Sequence, residues 1–460
     1  MASDAADAVE REVLRRVRPD PATEAKVLGA RDRLVAAAET VAHARHLPMV
    51  RCLVAGSGGR GTYLADRLDL DLFLLFPPEY PRADLARAGM EIGRAILEAT
   101  ETRYAEHPYL RGTFEGFRVD AVPGYAITDP SKPQSAVDRT PFHQEYLLRT
   151  QTPELVDQIR LTKQFLRGLG IYGSEARTAG FSGYLVELLA HRFGSFRGLL
   201  RTAAGWRIPV RLVSTPGAKP SVPEDVALIL DDPVDPGRNV ATALSRAHLA
   251  LFILGASEYL ARPSERAFVP ARPPTLTAAE AHERVARRGT HVAALLLPRP
   301  DLVDDILYPQ LRKAERALAD EARRLGFWVV GTASAAEPGA SLVLLEVEHP
   351  RVPAVRPQDG PPAGIDRVGS FLDKWGRPEA PVLQGPYVTE DGKLAVETER
   401  PERRLEPLLT ATLERLPIGR NLREAVHEPL RMRPLSELPE GPALREALGE
   451  LLDKRLPWLR

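Results

Sequence analysis

Residues 56–62 read GSGGRGT, and after a short spacer residues 69–76 read DLDLFLLF. The first segment predicts a glycine-rich turn, and the second predicts a strand whose large apolar side chains are buried. Residues two apart in a strand point to the same face, so Asp69 and Asp71 would stand side by side. Neighbouring carboxylates repel each other unless a cation lies between them, and Mg²⁺ accepts such oxygen ligands. The stretch therefore predicts a divalent metal site.

The glycines in front of these acids suit a phosphate group. Without a Cβ atom the backbone can approach a phosphate closely, and successive N–H groups can form an anion-binding nest. Taken separately, a glycine-rich segment is more often a flexible loop, and an Asp-Leu-Asp segment is more often a solvated strand end. At this spacing, and followed by a buried run, the two together favour phosphate on one side and metal on the other. That combination indicates nucleotidyl transfer.

A third acid, Asp120, lies within the apolar segment GFRVDAVP of residues 116–123. An aspartate flanked by Val119 and Ala121 is expected to be buried, and a buried carboxylate needs a partner or a metal. An ordinary edge-strand acid is the alternative. We predict that Asp69 and Asp71 hold two Mg²⁺ ions and that Asp120 completes the site of the ion that activates the attacking hydroxyl. These three acids are the predicted catalytic residues.

A triphosphate next to this site must be bound by hydrogen-bond donors, and charge-assisted bonds to phosphate are the strong ones. The eligible donors are Ser57, the amides of its loop, Arg60, Lys163 and Arg238. Residues 160–211 contain nine Arg or Lys against two acids, Glu175 and Glu187, although the whole chain is neutral. This segment predicts a local positive surface for polyphosphate or RNA, with a solvated helix face as the alternative.

Composition places limits on the rest. At 460 residues the chain is long enough for about three domains. Equal numbers of basic and acidic residues, 62 each, give no overall argument for nucleic acid. Cys52 is the only cysteine, which excludes an internal disulfide and suits a reducing cytoplasm. No targeting segment or membrane span is recognisable, so we expect a cytoplasmic protein with no membrane partner.

Coarse periodicity predicts an α+β, multidomain chain. We expect strands and helices over residues 1–150, a mainly helical part over 151–262, and an α+β body with a helical tail over 275–460. In the last part, residues 292–347 show β-α-β-β order, typical of a ferredoxin or RNA-recognition fold. Residues 387–396 predict a hairpin with an Asp-Gly turn. An apolar helix expected over 241–260 would place Arg238 and Asn239 at a helix N-terminus, where anions bind.

The GS, RGT and DLD segments resemble the signature of the DNA-polymerase-β-like nucleotidyltransferases. Further segments narrow the resemblance to the archaeal-type, class I CCA-adding tRNA nucleotidyltransferases over roughly residues 30 to 260: YAEHPY, GFRVDAVPGY, SAVDRTPFH, GIYGSE, GFSGYLVELL and DPVDPGRNVA. One departure is Gly59, where the family commonly has alanine, and from it we expect a looser loop.

The resemblance implies a polymerase-β-like catalytic head with a mixed or antiparallel sheet and helices, a nucleotide-binding neck and a tRNA-binding body. It also implies further nucleotide-binding residues: Thr140, His143 and Tyr172 at the triphosphate or sugar, and Arg238 and Asn239 near the base. Arg238 and the 3′ end of the tRNA would together accept C twice and then A, with tRNA, CTP, ATP and Mg²⁺ as partners and cofactor. A homodimer is a further expectation.

Two alternatives stay open. A related transferase could act on another acceptor, as an oligoadenylate synthase, a poly(A) polymerase or a small-molecule nucleotidylating enzyme does. Such enzymes share the GS and DxD segments but are not expected to share SAVDRTPFH and DPVDPGRNVA. The other alternative is an RNA-binding or regulatory protein without catalysis, which a missing carboxylate would signal, and all three acids are present.

Overall fold

The computed structural model describes residues 2–104 and 108–460, which form two compact units. The first unit comprises Met1–Arg272 and Arg455–Arg460, and the second comprises Pro273–Lys454. The segment YAEHPY, one of those that carry the resemblance, falls partly on residues 105–107, which lie outside the described residues. The boundary predicted at residues 150 and 151 lies inside the first unit and stays a prediction.

The first unit contains nine α-helices and seven strands in its described residues. The helices are α1 Ala2–Val17, α2 Pro21–Ala44, α3 Gly56–Arg60, α4 Arg82–Ile96, α5 Thr140–Thr150, α6 Pro153–Gly168, α7 Gly183–Phe193, α8 Phe196–Ala203 and α9 Arg246–Ala261. The strands are β1 Arg51–Ala55, β2 Asp69–Phe76, β3 Glu98–Tyr104, β4 Pro108–Phe114, β5 Phe117–Tyr125, β6 Val210–Arg211 and β7 Leu228–Ile229.

A five-stranded mixed sheet, in the order β1-β2-β5-β4-β3, carries the stretch that opened the sequence analysis. The β2–β5 pair is parallel, and the other pairs are antiparallel. Alternate residues of β2 enter one core beneath α2 and α4: Leu70, Leu72, Leu74 and Phe76. Phe73 and Leu75 point to the opposite face and pack with Ala55. Burial on both faces explains the nearly continuous apolar run and confirms the predicted strand.

The helical part of the first unit is built around Phe165 on α6. Its ring lies 5.4 Å from Phe196, 5.8 Å from Tyr259 and 5.7 Å from Phe268 between centroids, in edge-to-face arrangements. Helix α6 begins at Pro153, after the N-cap residue Thr152, whose hydroxyl accepts a hydrogen bond from the Leu155 N–H at 3.3 Å. This packing fixes the helix that carries Lys163.

The second unit contains six α-helices and seven strands. The helices are α10 Ala278–Arg288, α11 Asp304–Leu325, α12 Arg367–Trp375, α13 Leu405–Thr410, α14 Arg420–Glu424 and α15 Pro442–Leu452. The strands are β8 His291–Pro298, β9 Val329–Glu337, β10 Ala340–Val347, β11 Val355–Pro362, β12 Gln384–Val388, β13 Lys393–Glu399 and β14 Met432–Pro434.

Both sheet motifs predicted for the second unit are confirmed. Strand β8, helix α11 and strands β9 and β10 follow the β-α-β-β order, and the sheet order β14-β8-β10-β9 is that of a ferredoxin-like fold. Strands β12 and β13 pair as the predicted hairpin, beside β11 in a separate three-stranded sheet. Helix α15 is the helical tail. The α+β class and the multidomain layout are therefore as expected.

Two local predictions are wrong. The glycine-rich segment is the short helix α3 instead of a turn, and α9 begins at Arg246 instead of Ala241. Ser245 caps α9, accepting a hydrogen bond from the His248 N–H at 3.2 Å. Residues 231–244 form turns, so Arg238 and Asn239 do not lie at a helix N-terminus. Apolar composition alone does not show that the N-cap of α9 is Ser245, several residues after the start of the apolar segment.

Within residues 2–104 and 108–460, none of the helices combines the length and the apolar character that a bilayer-crossing segment requires.

Gly168, in the last turn of α6, provides a test of this packing. A Cβ atom at this position would lie 2.1 Å from the carbonyl oxygen of Ala267, which is backbone and cannot move away freely. We expect Gly168→Ala to lose about 1–3 kcal/mol of stability, measured as a lower midpoint of thermal unfolding. Gly205→Ala is the matched control, because its Cβ would meet nothing closer than 3.7 Å. Equal midpoints for the two variants would contradict the packing described here.

Candidate active site

Strand register brings the three predicted acids to one end of the sheet. Asp71 on β2 lies directly opposite Asp120 on β5, and Asp120 lies opposite Arg111 on β4. Asp69 pairs in register with Arg118 on β5. The side chains of all three acids line one cavity of about 300 Å³. The same cavity is lined by three of the predicted nucleotide-binding residues: Ser57, Lys163 and Tyr172.

Helix α3 lies very close to the acids, and its glycines make this approach possible. Gly56 has a φ of +65°, and a Cβ atom there would lie 2.2 Å from Asp71 Oδ2. A Cβ atom on Gly59 would lie 2.2 Å from the carbonyl oxygen of Val54. The expectation of a looser loop at Gly59 is therefore wrong, because the helix packs tightly against β1.

Two arginines from the same sheet neutralise the outer acids. Arg111 donates two hydrogen bonds to Asp120, from Nε to Oδ1 and from Nη2 to Oδ2, each 2.7 Å long. Arg118 donates to Asp69 Oδ2, and Arg67 lies 3.7 Å from the same carboxylate. Asp120 is thus paired, as predicted for an acid in an apolar segment, but its partner is a guanidinium.

Asp71 lies between these two pairs, and its protonation is perturbed. Burial, together with the negative charges of Asp120 and Asp69, raises its pKa from 3.8 to about 6. The positive charges of Arg60 and Arg111 oppose this shift only in part. Near neutral pH the ionised Asp71 carboxylate therefore experiences repulsion from Asp120 and Asp69, which a bound cation would relieve.

The donor set suits a hard divalent cation, which prefers carboxylate oxygens. In the described ranges, however, no three His, Cys, Asp or Glu side chains already surround one point as metal ligands. The physical reason is visible, since Arg111 and Arg118 hold Asp120 and Asp69 on either side of Asp71. An ion bound by all three acids would replace these guanidiniums as the counter-charge of the carboxylates.

Arg60 and Lys163 share one buried counter-ion, Glu187 on α7. Arg60 Nε donates to Glu187 Oε2 at 2.6 Å, and Lys163 Nζ donates to Oε1 at 2.8 Å. The Thr62 hydroxyl also donates to Oε1, and Gln144 Oε1 accepts from Arg60 Nη1. Despite its burial, the pKa of Glu187 is lowered to about 2 by Lys163 and Arg60. Lys163 lines the acid cavity, whereas Arg60 lines a different one beneath α3.

A second buried acid, Asp232, brings together two more of the predicted residues. Asp232 Oδ2 lies 2.9 Å from His143 Nε2 and 2.8 Å from Arg238 Nη1. Its Oδ1 accepts a hydrogen bond from the Tyr184 hydroxyl at 2.9 Å. The pKa of His143 is lowered by burial, against the effect of Asp232. Thr140 begins α5, one helical turn before His143, so these two share a face.

Asn239 is placed differently from the other predicted residues. Its Oδ1 accepts from the N–H groups of Leu230 and Ala241 at 3.0 and 3.1 Å, and its Nδ2 donates to the Leu228 carbonyl at 3.0 Å. Only 2% of the residue is exposed. These bonds commit both ends of the amide to holding the turn after β7.

Several residues of the site were not predicted as such: Arg111, Arg118, Glu187, Tyr184 and Asp232. The arginines give no sequence signal, because their role depends on which strands pair. Glu187 does give one, since it lies in the apolar helical segment GYLVELL, and a buried acid needs a cationic partner.

Models of three protein families match the chain in consecutive segments. Residues 45–143 match the nucleotidyltransferase domain, and residues 157–269 match the second domain of tRNA nucleotidyltransferase. Residues 288–433 match the C-terminal domain of the CCA-adding enzyme. The first two segments contain all three acids, Glu187 and Asp232.

Whole-length relatives agree with these matches. The CCA-adding enzyme of Halobacterium salinarum is 39% identical over 426 residues, 92% of this chain and 92% of the relative. That of Haloarcula marismortui is 38% identical over 86% of this chain and 87% of its own. That of Methanosarcina mazei is 34% identical over 90% of this chain and 91% of its own.

The raised pKa of Asp71 predicts how stability depends on pH. Because the folded chain holds this proton more tightly than the unfolded chain, stability falls as the pH rises from about 4 to about 6. Asparagine cannot ionise, so at pH 7.5 in EDTA the free energy of unfolding of Asp71→Asn should exceed that of the parent protein by on the order of 1–3 kcal/mol. The difference is measured as a higher midpoint of thermal unfolding. At pH 4 the two proteins should differ little.

The control for this measurement is Asp84→Asn, a partly exposed acid in the first turn of α4. The difference in stability between this variant and the parent protein should be the same at pH 4 and at pH 7.5. A gain for Asp71→Asn of the same size at pH 4 and pH 7.5 would contradict the assignment of a raised pKa to Asp71.

Proposed function

The chain belongs to the family of CCA-adding tRNA nucleotidyltransferases, and on that basis we propose that Asp69, Asp71 and Asp120 form its catalytic centre. The enzyme adds C, C and A to the 3′ end of tRNA from CTP and ATP, without a nucleic acid template, and releases pyrophosphate. The observation that carries the assignment of the centre is the register of β2 and β5, which makes Asp71 and Asp120 neighbours in a cavity also lined by Ser57 and Lys163.

Asp69 and Asp71 would hold two divalent ions, with Asp120 completing the site of one, and Mg²⁺ is the proposed ion. When bound, such ions lower the pKa of an attacking hydroxyl and neutralise charge on a triphosphate. The chain's own part is to keep three carboxylates in reach of one another. Arg111 and Arg118 neutralise them in the absence of ions, and Gly56 leaves room beside Asp71 Oδ2.

Ser57, Lys163 and Tyr172 are proposed to contact the triphosphate or sugar, because they line the cavity of the acids. Thr140 and His143, on one face of α5, are proposed for the same role. Arg60 is proposed to act through its charge and through α3, since its side chain is only 6% exposed and its guanidinium is bound to Glu187. The positive charge of Arg60 acts on both Asp71 and His143. It opposes the rise in the pKa of Asp71 that burial causes, and it adds to the lowering of the pKa of His143 by burial.

Arg238 is proposed to contact the incoming base. One nitrogen, Nη1, is held by Asp232, and 37% of the side chain is exposed. Its remaining N–H groups are donors in a fixed plane, which suits the acceptors of cytosine and adenine. For Asn239 the proposed part is indirect, since its amide holds the turn that presents Arg238.

Residues 275–460 are proposed to bind the acceptor stem through sugar and phosphate, by shape. The division of the first unit into a head over 1–150 and a neck over 151–262 belongs to the same proposal. A cytoplasmic location is proposed from the tRNA substrate and the single buried cysteine, Cys52. The homodimer stays a prediction.

The activity can be tested with three tRNAs that end at the discriminator base, at C and at CC. The protein is incubated with Mg²⁺ and labelled CTP or ATP. We expect C addition to the first two tRNAs, A addition to the third, and no addition in EDTA. Asp71→Ala should lose at least roughly 10²-fold in rate, since it removes a group placed to stabilise charge.

Asp84→Ala is the matched control and should keep the parent rate, because Asp84 does not line the cavity and is paired with Arg87. Labelling of a small molecule in preference to tRNA would indicate a transferase with another acceptor. An Asp71→Ala variant as active as the parent protein would contradict the proposed catalytic centre.

A further inference from the structure

One buried carboxylate, Asp232, joins two residues that the proposed function assigns to opposite ends of the nucleotide. His143 Nε2 and Arg238 Nη1 lie 2.9 and 2.8 Å from the same oxygen, Asp232 Oδ2. An ionised carboxylate can only accept hydrogen bonds, so Nε2 carries the proton of the imidazole and donates it. A displacement of Asp232 would therefore move both side chains.

The carboxylate itself is held on its other side. Oδ1 accepts from the Tyr184 hydroxyl at 2.9 Å and from the Val234 N–H at 3.1 Å. The His143 and Tyr184 rings stack with centroids 4.0 Å apart and an angle of 26° between their planes. The Asp232 side chain is 0% exposed. The Asp232 carboxylate is thus fixed in one orientation by four hydrogen-bond donors, two of which belong to side chains whose rings stack on each other.

This arrangement has a direct consequence for Arg238. A long, partly exposed arginine would otherwise occupy many rotamers, and its donors would face many directions. Anchoring Nη1 on a rigid carboxylate fixes the plane of the guanidinium and aims its other N–H groups. Selection between bases depends on such fixed donors, because a base with mismatched acceptors leaves them unpaired.

We propose that Asp232 is a positioning residue for base selection. It holds the side chains of Arg238 and His143 at a fixed distance from each other, so that the base and the triphosphate are positioned together. The inference rests on the proposed function, since it requires Arg238 to contact the base. It adds that selectivity between bases depends on the ion pair between Arg238 and Asp232, although Asp232 itself need not contact the nucleotide. Tyr184 supports the same carboxylate from α7.

The test compares C addition from CTP with misincorporation from UTP, as kcat and KM for each, on a tRNA ending at the discriminator base. Asp232→Asn replaces two acceptor oxygens by one and removes the charge. We expect the ratio of kcat/KM for CTP over UTP to fall about tenfold or more, mainly through a higher KM for CTP. Tyr184→Phe removes one donor to Oδ1 and should lower the ratio about threefold.

Asp231→Asn is the matched control. Asp231 is the neighbouring buried acid, but it accepts from the N–H groups of Ser214 and Thr215 and not from His143 or Arg238. Its substitution should leave the CTP to UTP ratio within about twofold of the parent value. A ratio that falls equally in both aspartate variants would overturn the proposal, because the effect would then come from the turn as a whole.

A double variant separates positioning from direct contact. Once Arg238→Ala has removed the guanidinium, adding Asp232→Asn should change the ratio no further. If the second substitution lowers it again by the full amount, Asp232 does not act through Arg238. Should Asp232→Asn fail to fold, unchanged selectivity in Tyr184→Phe overturns the proposal. A parent protein that adds no nucleotide to tRNA would instead refute the proposed function itself.

Discussion

The presence of three carboxylates in one cavity at the end of the mixed sheet is the constraint on which the first unit depends. Parallel pairing of β2 and β5 makes Asp71 and Asp120 neighbours, and Gly56 lets α3 lie against Asp71. Like charges this close are costly, and Arg111 and Arg118 from the same sheet offset the cost. The result is a set of anions whose counter-charges can be exchanged for a bound cation. In the proposed catalytic centre, an ion bound by the three acids would displace both arginines from them.

Two buried acids connect this sheet end to the helices around it. Glu187 binds Arg60 of α3 and Lys163 of α6, so the glycine helix is fixed relative to the helical core around Phe165. Removing one member would leave a buried charge without compensation, which typically costs about 3–5 kcal/mol. Asp232 does the same for α5 and the turn after β7. Arg60, Lys163 and His143, which the sequence analysis assigns to the nucleotide, therefore also connect the helices of the first unit.

The sequence predicts the acids well because each leaves a local signal. Period two in a strand is enough to place Asp69 beside Asp71, and apolar flanks mark Asp120 as an acid that needs a partner. Which partner it has depends on the register of β4 and β5, which local patterns do not contain. Arg111 is therefore visible only in the fold.

The same distinction explains the errors. A run of apolar residues indicates that α9 exists but not where it begins, because its start depends on the Ser245 cap and on side-chain bonds from Asn239 in the preceding turn. Positive charge on Arg60 and Lys163 is visible in the sequence, whereas their burial against Glu187 is a consequence of tertiary packing. Charge alone does not distinguish a donor that faces a cavity from one that faces a counter-ion.

The most direct measurement is anomalous diffraction from crystals soaked with Mn²⁺ and a non-hydrolysable CTP analogue. The account predicts Mn²⁺ peaks within coordination distance of Asp69, Asp71 and Asp120, with Arg111 and Arg118 displaced from the carboxylates. Mn²⁺ bound elsewhere, with both arginines still on their acids while the analogue occupies the cavity, would contradict it.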